Sequence, residues 1–259
     1  MKRTSLAAIL AIFVASVCCC LGALPLAAGS RVLNGSEHLT ESDGSLNASY
    51  KQIRKLYASD AQFLAKLTAS QRAWLKFRDA ELDALFPHAG EPGYYGSIYQ
   101  EARAEWMAVL SDERCKQLGR WLGAAAGGSK NLYLTAFLDP KQELFGAPQK
   151  TCTLNELSKA NDAALNGKYQ RIIKDRAYSS DRLFLDKFRT AQRAWLKFRD
   201  AETEALVPHG KNDKARLYAQ AQLAEDRSRQ LLKWIRGVSE GDVFAGSIKT
   251  KQASPDKRR

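Results

Sequence analysis

The chain has 259 residues, 45% of them hydrophobic, and a net charge of +12 at pH 7. These values are ordinary for a globular protein and exclude a chain too short or too polar to bury a real core. The charge favours anionic partners such as phospholipid headgroups, acidic wall polymers or acidic proteins, and it says nothing about fold.

The first residues have the pattern of a secretory signal peptide. Lys2 and Arg3 precede an apolar run over residues 6–26, which small residues follow. The run contains Gly22 and Pro25 and has no charged stop-transfer flank, which favours a cleaved leader over a membrane span. We therefore predict a signal peptide at residues 1–28 and, without its two positive charges, a mature charge of +10.

Cysteines raise two further questions. Cys18, Cys19 and Cys20 suggest a lipid anchor as an alternative, but the residues before them are not the small ones that such a site requires. Only Cys115 and Cys152 follow the leader, and an oxidising compartment would allow one disulfide between them. The sequence leaves open whether their Cα atoms come close enough for that bond.

An internal duplication organises the rest of the chain. The signature block, Gln-Arg-Ala-Trp-Leu-Lys-Phe-Arg-Asp-Ala-Glu at residues 71–81, returns unchanged at residues 192–202. Pro-His pairs follow both copies, at Pro87-His88 and Pro208-His209. The repeat predicts one module at residues 37–125 and a second at residues 152–237, joined by a Gly- and Pro-containing linker at 126–151. Residues 238–259 form a predicted basic, disordered tail.

Apolar residues recur at helical spacing in both modules, and no convincing strand pattern appears. The predicted fold is all-α, with two tandem three-helix modules. The middle helix of each module should begin near Asp60 or Asp181, residues that cap exposed backbone N–H groups, and end near Pro87 or Pro208. Its apolar stripe is predicted at Phe63, Leu64, Leu67, Trp74, Leu75, Arg78, Leu82 and Leu85, and at the matching positions of the second copy.

The signature block supplies the candidate binding residues, and each has a structural interpretation too. Trp74 and Trp195 are predicted to be core anchors because they lie within the apolar stripe. Arg78 and Arg199, one turn further on, favour an inter-helix ion pair, with anion binding as the alternative. The Gln71 and Gln192 amides could bond between helices or contribute to a polar pocket.

Other polar residues give no sign of catalysis or metal binding. The carboxylates of Asp79 and Glu81 are two residues apart, so on a helix they point to different faces and make a poor acid-base pair. His88 and His209 are candidate binding residues, but they lack nearby metal-ligand spacing, and a helix-terminus role is favoured. No cofactor, nucleotide or nucleic-acid motif is present, so we predict a protein that is not an enzyme and binds no nucleic acid.

The signature block, preceded by a Leu-Asn-x-x-Tyr helix and followed by Leu-x-x-Trp-Leu, resembles the LprI-type lysozyme-inhibitor N-terminal domain family. Both modules carry the resemblance. It implies a small helical module, secreted or periplasmic, with lysozyme inhibition as the activity that names the family. That family is often rich in cysteines, including one soon after the Arg-Asp pair, where this chain has Leu82 and Thr203.

The leading hypothesis is an exported bacterial protein, periplasmic or secreted, that binds in the cell envelope and inhibits a wall-degrading enzyme. The alternative is an adaptor that binds anionic wall or membrane surfaces without inhibitory activity. Because the mature chain is basic, inhibition of a basic lysozyme is disfavoured unless a local acidic patch overrides the mean charge. A less basic muramidase or the anionic wall itself is the alternative target. An unrecognised hydrolase ranks last, since the sequence offers no catalytic constellation. The oligomeric state stays open.

Overall fold

The computed structural model describes residues 34–126, 153–209, 213–239, 241–242 and 244–250. The described residues form seven helices and no strand: α1 (Gly35–Leu56), α2 (Ala61–Leu85), α3 (Tyr99–Ala126), α4 (Leu154–Lys174), α5 (Arg176–Ser179), α6 (Arg182–Leu206) and α7 (Asp213–Arg236). The predicted all-helical class with a duplicated unit is confirmed, and the second copy adds the short α5. The predicted signal peptide and most of the linker lie outside the described residues.

The helix ends follow local sequence chemistry. The Asp60 side chain accepts the Phe63 N–H at the start of α2, and Asp181 accepts the Phe184 N–H at the start of α6, both at 2.9 Å. At the start of α4, Thr153 and Glu156 form a reciprocal capping box. Both long middle helices end two residues before a proline, whose backbone nitrogen has no hydrogen to donate to the preceding turn.

The two modules pack against each other through their middle helices. Helices α1 and α3 pair within the first module, α4 and α7 pair within the second, and α2 packs along α6. The start of α2 meets the end of α6, since Lys66 Nζ donates to the Pro208 carbonyl at 2.9 Å. At the other end Lys187 Nζ donates to the Pro87 carbonyl at 2.8 Å. The copies are therefore antiparallel partners related by an approximate two-fold axis, with the signature blocks at their interface.

Aromatic side chains fill the core of each module. Trp74 and Trp195 are only 3% and 2% exposed, in the core positions predicted from the sequence. The predicted stripe was wrong at Leu75 and at its counterpart Leu196, which are both 38% exposed. Phe77 and Phe198, each 2% exposed, are buried instead, because α2 and α6 pack against each other through that neighbouring face.

Part of the predicted tail is packed on the helices. Ile248 is 4% exposed within the core, and the Ser247 N–H donates to the Leu85 carbonyl at 2.8 Å. Gly246 has a φ of 57°, and a Cβ there would lie 2.5 Å from that same carbonyl, so only glycine fits. This packing differs from the disorder predicted for residues 238–259. Residues 251–259 lie outside the described residues.

Candidate functional site

The buried half of the signature block forms ion pairs between the modules. Arg114 of α3 donates to both carboxylate oxygens of Glu202 at 2.9 and 3.0 Å, and Arg227 of α7 donates to Glu81 at 2.8 Å. All four side chains are at most 3% exposed. Buried charges of this kind persist only when they are paired and hydrogen-bonded. Each module thus supplies the arginine that neutralises a carboxylate of the other.

The signature glutamines complete these pairs. Gln71 accepts from Arg114 Nε at 3.1 Å, and Gln192 accepts from Arg227 Nε at 3.2 Å. Lys233 Nζ lies 3.6 Å from the second oxygen of Glu81. Burial alone would raise the pKa of Glu81, but Arg227 and Lys233 outweigh it and hold that pKa below its ordinary value. The glutamines therefore make the inter-helix bonds that were one of their two predicted roles.

A column of planar groups runs through the same interface. The rings of Phe77 and Phe198 stack across the two-fold axis with centroids 6.1 Å apart and planes within 2°. Arg227 covers the outer face of Phe77 at 4.9 Å, and Arg114 covers Phe198 at 5.0 Å. Cation–π contacts of this type are strongest where water is excluded. The buried residues of the signature block therefore hold the two modules together.

The signature arginines lie at the edge of this interface. Arg78 bonds the neighbouring Asp79 at 3.0 Å and lies over the Trp74 ring at 5.4 Å. Arg199 repeats this arrangement and adds an inter-helix contact of 3.8 Å with Asp162 of α4. The predicted inter-helix ion pair is thus present for Arg199, whereas Arg78 pairs within its own helix among the residues the structure describes.

The carboxylates of the signature block do not converge. Glu81 is fully buried against Arg227, while the side chain of Asp79 is 60% exposed. A general acid and a general base must both reach one substrate, and this pair faces two different environments. Within the described residues, no group of three or more His, Cys, Asp or Glu side chains is placed to hold a metal ion.

The two helix-ending histidines connect the modules. His88 Nε2 lies 2.8 Å from Asp181 Oδ2, and His209 Nε2 lies 2.6 Å from Asp60 Oδ2. Each histidine therefore contacts the aspartate that caps the middle helix of the other module. His88 also contacts Glu91 through Nδ1 at 2.5 Å. Both histidines follow the end of their own middle helix, but their rings contact the start of the other module's middle helix. The role predicted at the negative end of the helix dipole therefore stays a prediction.

The segment after α2 forms the most exposed aromatic surface of the described chain. We name residues 86–98 the Tyr94 loop. The Tyr94 side chain is 55% exposed, and its ring stacks on His88 with centroids 4.3 Å apart and planes 16° apart. In the second module the equivalent connection, residues 207–212, is shorter. The loop therefore distinguishes the first module from the second.

The base of the Tyr94 loop is tightly held. Phe86, 2% exposed, meets the edges of Tyr95 and Tyr99 at 5.4 and 5.5 Å. The Tyr95 hydroxyl accepts the His88 N–H at 3.3 Å and bonds Ser247 at 3.3 Å. Successive turns at Glu91 N, Tyr94 N and Gly96 N shape the chain above it. A fixed base below an exposed ring is the arrangement of a pre-organised binding loop.

The contacts of His88 with Glu91 and Asp181 should make the stability of the protein depend on pH. Glu91 and Asp181 raise the pKa of His88 above its ordinary 6.5. The stabilisation is therefore complete below about pH 6.5 and is lost as the pH rises through the raised pKa. Burial alone would raise the pKa of Asp181, but its hydrogen bonds with the Phe184 N–H and His88 outweigh burial and lower that pKa below 3.8. The stabilisation that Asp181 contributes is therefore lost as the pH falls through its lowered pKa.

We expect the difference in unfolding free energy between the natural chain and His88→Gln to be larger at about pH 5.5 than at about pH 8.5. Urea unfolding followed by tryptophan fluorescence measures it. The pKa of His38 is also raised, because its contacts with Glu105 and Asp112 outweigh the effect of burial. His38 is present in both proteins, so its contribution cancels in the comparison. An equal difference at both pH values would show that the His88 contacts do not depend on its charge.

Sequence reasoning located His88 and His209 but missed Tyr94, Arg114 and Arg227. A signal for the loop exists, since Gly93-Tyr94-Tyr95-Gly96 combines aromatics with two glycines that adopt φ values of 78° and 68°. Of the two cysteines that follow the predicted leader, Cys115 is buried with its Sγ 3.4 Å from Ser49 Oγ, and Cys152 lies outside the described residues. The disulfide stays a prediction.

Comparison with known proteins gives a family. The family model described as lysozyme inhibitor LprI matches residues 35–118 and again residues 147–231. No curated protein and no solved structure matches the chain. None of the described helices is long and apolar enough to cross a membrane. The two matched segments cover more than half of the chain and each contains one signature block, so the chain belongs to the LprI lysozyme inhibitor family.

Proposed function

We propose that this protein is exported to the periplasm or the cell exterior and inhibits a wall-degrading muramidase by inserting the Tyr94 loop into its substrate cleft. The protein acts by binding and catalyses no reaction of its own. The observation that carries the proposal is a solvent-exposed aromatic loop, held at its base by hydrogen bonds and aromatic contacts, on a chain of the LprI lysozyme inhibitor family. The signature residues are assigned to the scaffold that presents this loop.

The contacts that hold the base of the Tyr94 loop support the inhibitory role. A loop that is already ordered before binding loses little conformational entropy in the complex, which favours affinity. In this chain the order comes from the His88 contacts with Glu91 and Asp181, and from the aromatic base of the loop. Lys187 adds a bond to the Pro87 carbonyl at 2.8 Å. These contacts do the work that disulfides do in cysteine-rich modules.

The charge of the loop suits a partner that the mean charge would repel. Residues 86–98 contain one carboxylate, Glu91, and neither lysine nor arginine. The loop itself is therefore close to neutral, since His88 contacts Glu91 and the neighbouring Lys187 is bonded at its base. It repels a basic muramidase less than the mean charge of the chain would. Local complementarity of this kind governs association more directly than net charge does.

The chemistry of the loop suits a sugar-binding cleft. Glycosidases place two carboxylates beside the bond that they cleave, in a cleft shaped for sugar rings. Tyrosine offers a flat apolar ring and a hydroxyl that can donate to a carboxylate, and it is frequent among residues that dominate binding energy. Tyr94 would occupy a sugar subsite, and its neighbours would exclude water from the cleft.

Replacing Tyr94 by alanine tests this assignment. We expect Tyr94→Ala to weaken the complex with a susceptible muramidase by about 30-fold or more, the effect of losing an interface residue worth 2 kcal/mol. Isothermal titration calorimetry with the purified enzyme measures the dissociation constant and the stoichiometry. The fold should stay intact because the Tyr94 side chain is 55% exposed.

The matched control is Leu56→Ala, which removes another exposed hydrophobic side chain at the end of α1, outside the loop. This variant should bind like the natural chain. Equal affinities for Tyr94→Ala and the natural chain would remove the loop from the interface. A complex that dissociates at moderate salt and has the same affinity in both variants would favour the adaptor hypothesis, since salt screens the attraction between exposed charges.

A further inference from the structure

The second module contains a basic groove between α4 and α6. Its cavity has a volume of about 440 Å³, within the range of about 300–1,000 Å³ typical of small-molecule sites. Buried Leu165 and exposed Leu196 give the floor its apolar surface. The charged side chains of the groove are Asp162, Arg189, Arg193 and Arg199, and Asn166 and Tyr169 add an amide and an aromatic ring.

The charges in this groove are only partly neutralised by the protein. Arg189 bonds Asp186 at 3.0 Å, and Arg199 bonds Asp200 at 2.9 Å and lies 3.8 Å from Asp162, a carboxylate that lines the groove. Arg193 donates to the neutral hydroxyl of Thr190 at 3.2 Å, and no carboxylate of the described chain lies within ion-pair distance of it. A guanidinium presents several donors in a fixed plane, which suits a carboxylate. Arg193 is therefore available to bind an anion.

The amide and the apolar floor narrow the choice of ligand. The Asn166 side chain is exposed at the rim and has no hydrogen-bond partner among the described residues. An amide of this kind can pair with the acetamido group of an N-acetylated sugar, donating to its carbonyl and accepting from its N–H. The methyl of that group and the face of the sugar ring would pack on Leu196 and the ring of Tyr169.

We propose that this groove binds a carboxylate-bearing, N-acetylated fragment of the cell-wall glycan, with Arg193 as the main anion-binding residue. The inference rests on the proposed location in the envelope, where such fragments occur, but it needs no inhibition of a muramidase. A lipid headgroup would use the arginines and leave the apolar floor and the Asn166 amide without a role. The concave shape also favours a small ligand over a flat surface.

The first module offers a matched control within the same eleven-residue block. Arg72 stands at the position of Arg193, but Thr68 replaces Arg189 and bonds the Tyr50 hydroxyl at 3.2 Å. The two faces therefore differ here, since the first module has a neutral Thr68 in place of Arg189 and has Arg54 over the Tyr50 ring at 6.0 Å. Arg72 and Arg193 are both exposed, so replacing either by glutamine should leave the fold intact.

The experiment is calorimetric titration of the full chain, without any muramidase, at physiological salt. The probes are muramyl dipeptide, the same compound with its carboxylate amidated, and N,N′-diacetylchitobiose, which is N-acetylated and uncharged. Muramyl dipeptide should bind with one-to-one stoichiometry, and Arg193→Gln should weaken it about tenfold, the usual scale for one charge-assisted hydrogen bond. Arg72→Gln should bind like the natural chain, and both uncharged probes should bind more weakly.

Three results would overturn the proposal. These are no heat of binding with muramyl dipeptide, equal binding of its amidated form, and equal losses in Arg193→Gln and Arg72→Gln. A further arm uses vesicles containing phosphatidylglycerol. If Arg193→Gln weakens vesicle binding while muramyl dipeptide does not bind the natural chain, the groove recognises a lipid headgroup and the glycan assignment is wrong. Because no muramidase is present, these outcomes are separate from the failure or success of inhibition.

Discussion

Replacing Glu81 by alanine is expected to lower the free energy of unfolding by about 3–5 kcal/mol, the usual cost of leaving a buried charge unpaired. Arg227 would lose its partner at 2.8 Å with no access to water, and Lys233 would lose its nearby carboxylate. Glu81→Gln should cost less, since it preserves the volume and one acceptor oxygen. Urea unfolding, followed by circular dichroism, measures both losses.

The control for this prediction is Asp79→Ala, two residues earlier in the same helix. Asp79 pairs with Arg78, but its side chain is 60% exposed, and exposed ion pairs contribute at most about 1 kcal/mol. A loss for Glu81→Ala no larger than for Asp79→Ala would contradict the claim that the two modules depend on buried ion pairs.

The second large effect is expected at the centre of the interface. Phe77→Ala should lower the free energy of unfolding by about 3–5 kcal/mol, because it leaves a cavity and removes the stack with Phe198. The substitution also removes the ring over which the Arg227 guanidinium lies. Thermal and urea unfolding should both show a less stable protein, whose two modules separate and unfold together.

Leu75→Ala provides the comparison, because it removes an apolar side chain from the same block. Leu75 is 38% exposed, and substitutions at such surface positions usually change stability by no more than about 0.5 kcal/mol. Similar losses for the two variants would mean that the Phe77–Phe198 stack contributes little beyond ordinary surface packing.

Local features of the fold were predictable because they depend on neighbouring residues. Asp60 and Asp181 cap their helices, and the prolines that follow α2 and α6 set the helix ends. Trp74 and Trp195 lie in the core as their apolar surroundings indicate. The duplication was also readable, since eleven identical consecutive residues identify it without any structure.

The packing of α2 against α6 could not be read from the sequence. Trp74, Leu75 and Phe77 are close together along the helix, so spacing alone allows the buried face to turn toward Leu75 or toward Phe77. The choice depends on the other module, which lies far away in the chain. For the same reason Arg114 and Arg227 showed no sign of their role, because their carboxylate partners are on the opposite copy.

The candidate site was only partly predictable. His88 was noticed because it repeats as His209, whereas Tyr94 has no counterpart in the second module and escaped a search based on repetition. The Tyr94 ring stacks on His88, and the neighbouring Tyr95 bonds Ser247, which belongs to the segment after α7. Contacts between such distant segments are specified by tertiary packing, which local patterns do not record.

The most direct test of the proposed function is lysis of cell-wall suspensions by a panel of basic and acidic muramidases at physiological salt. The mature protein should protect the walls from at least one enzyme in a dose-dependent way that saturates at a fixed stoichiometry. Tyr94→Ala should lose most of that protection, while Leu56→Ala should retain it. Full protection by Tyr94→Ala, or no protection by the natural chain against any enzyme of the panel, would contradict inhibition through the Tyr94 loop.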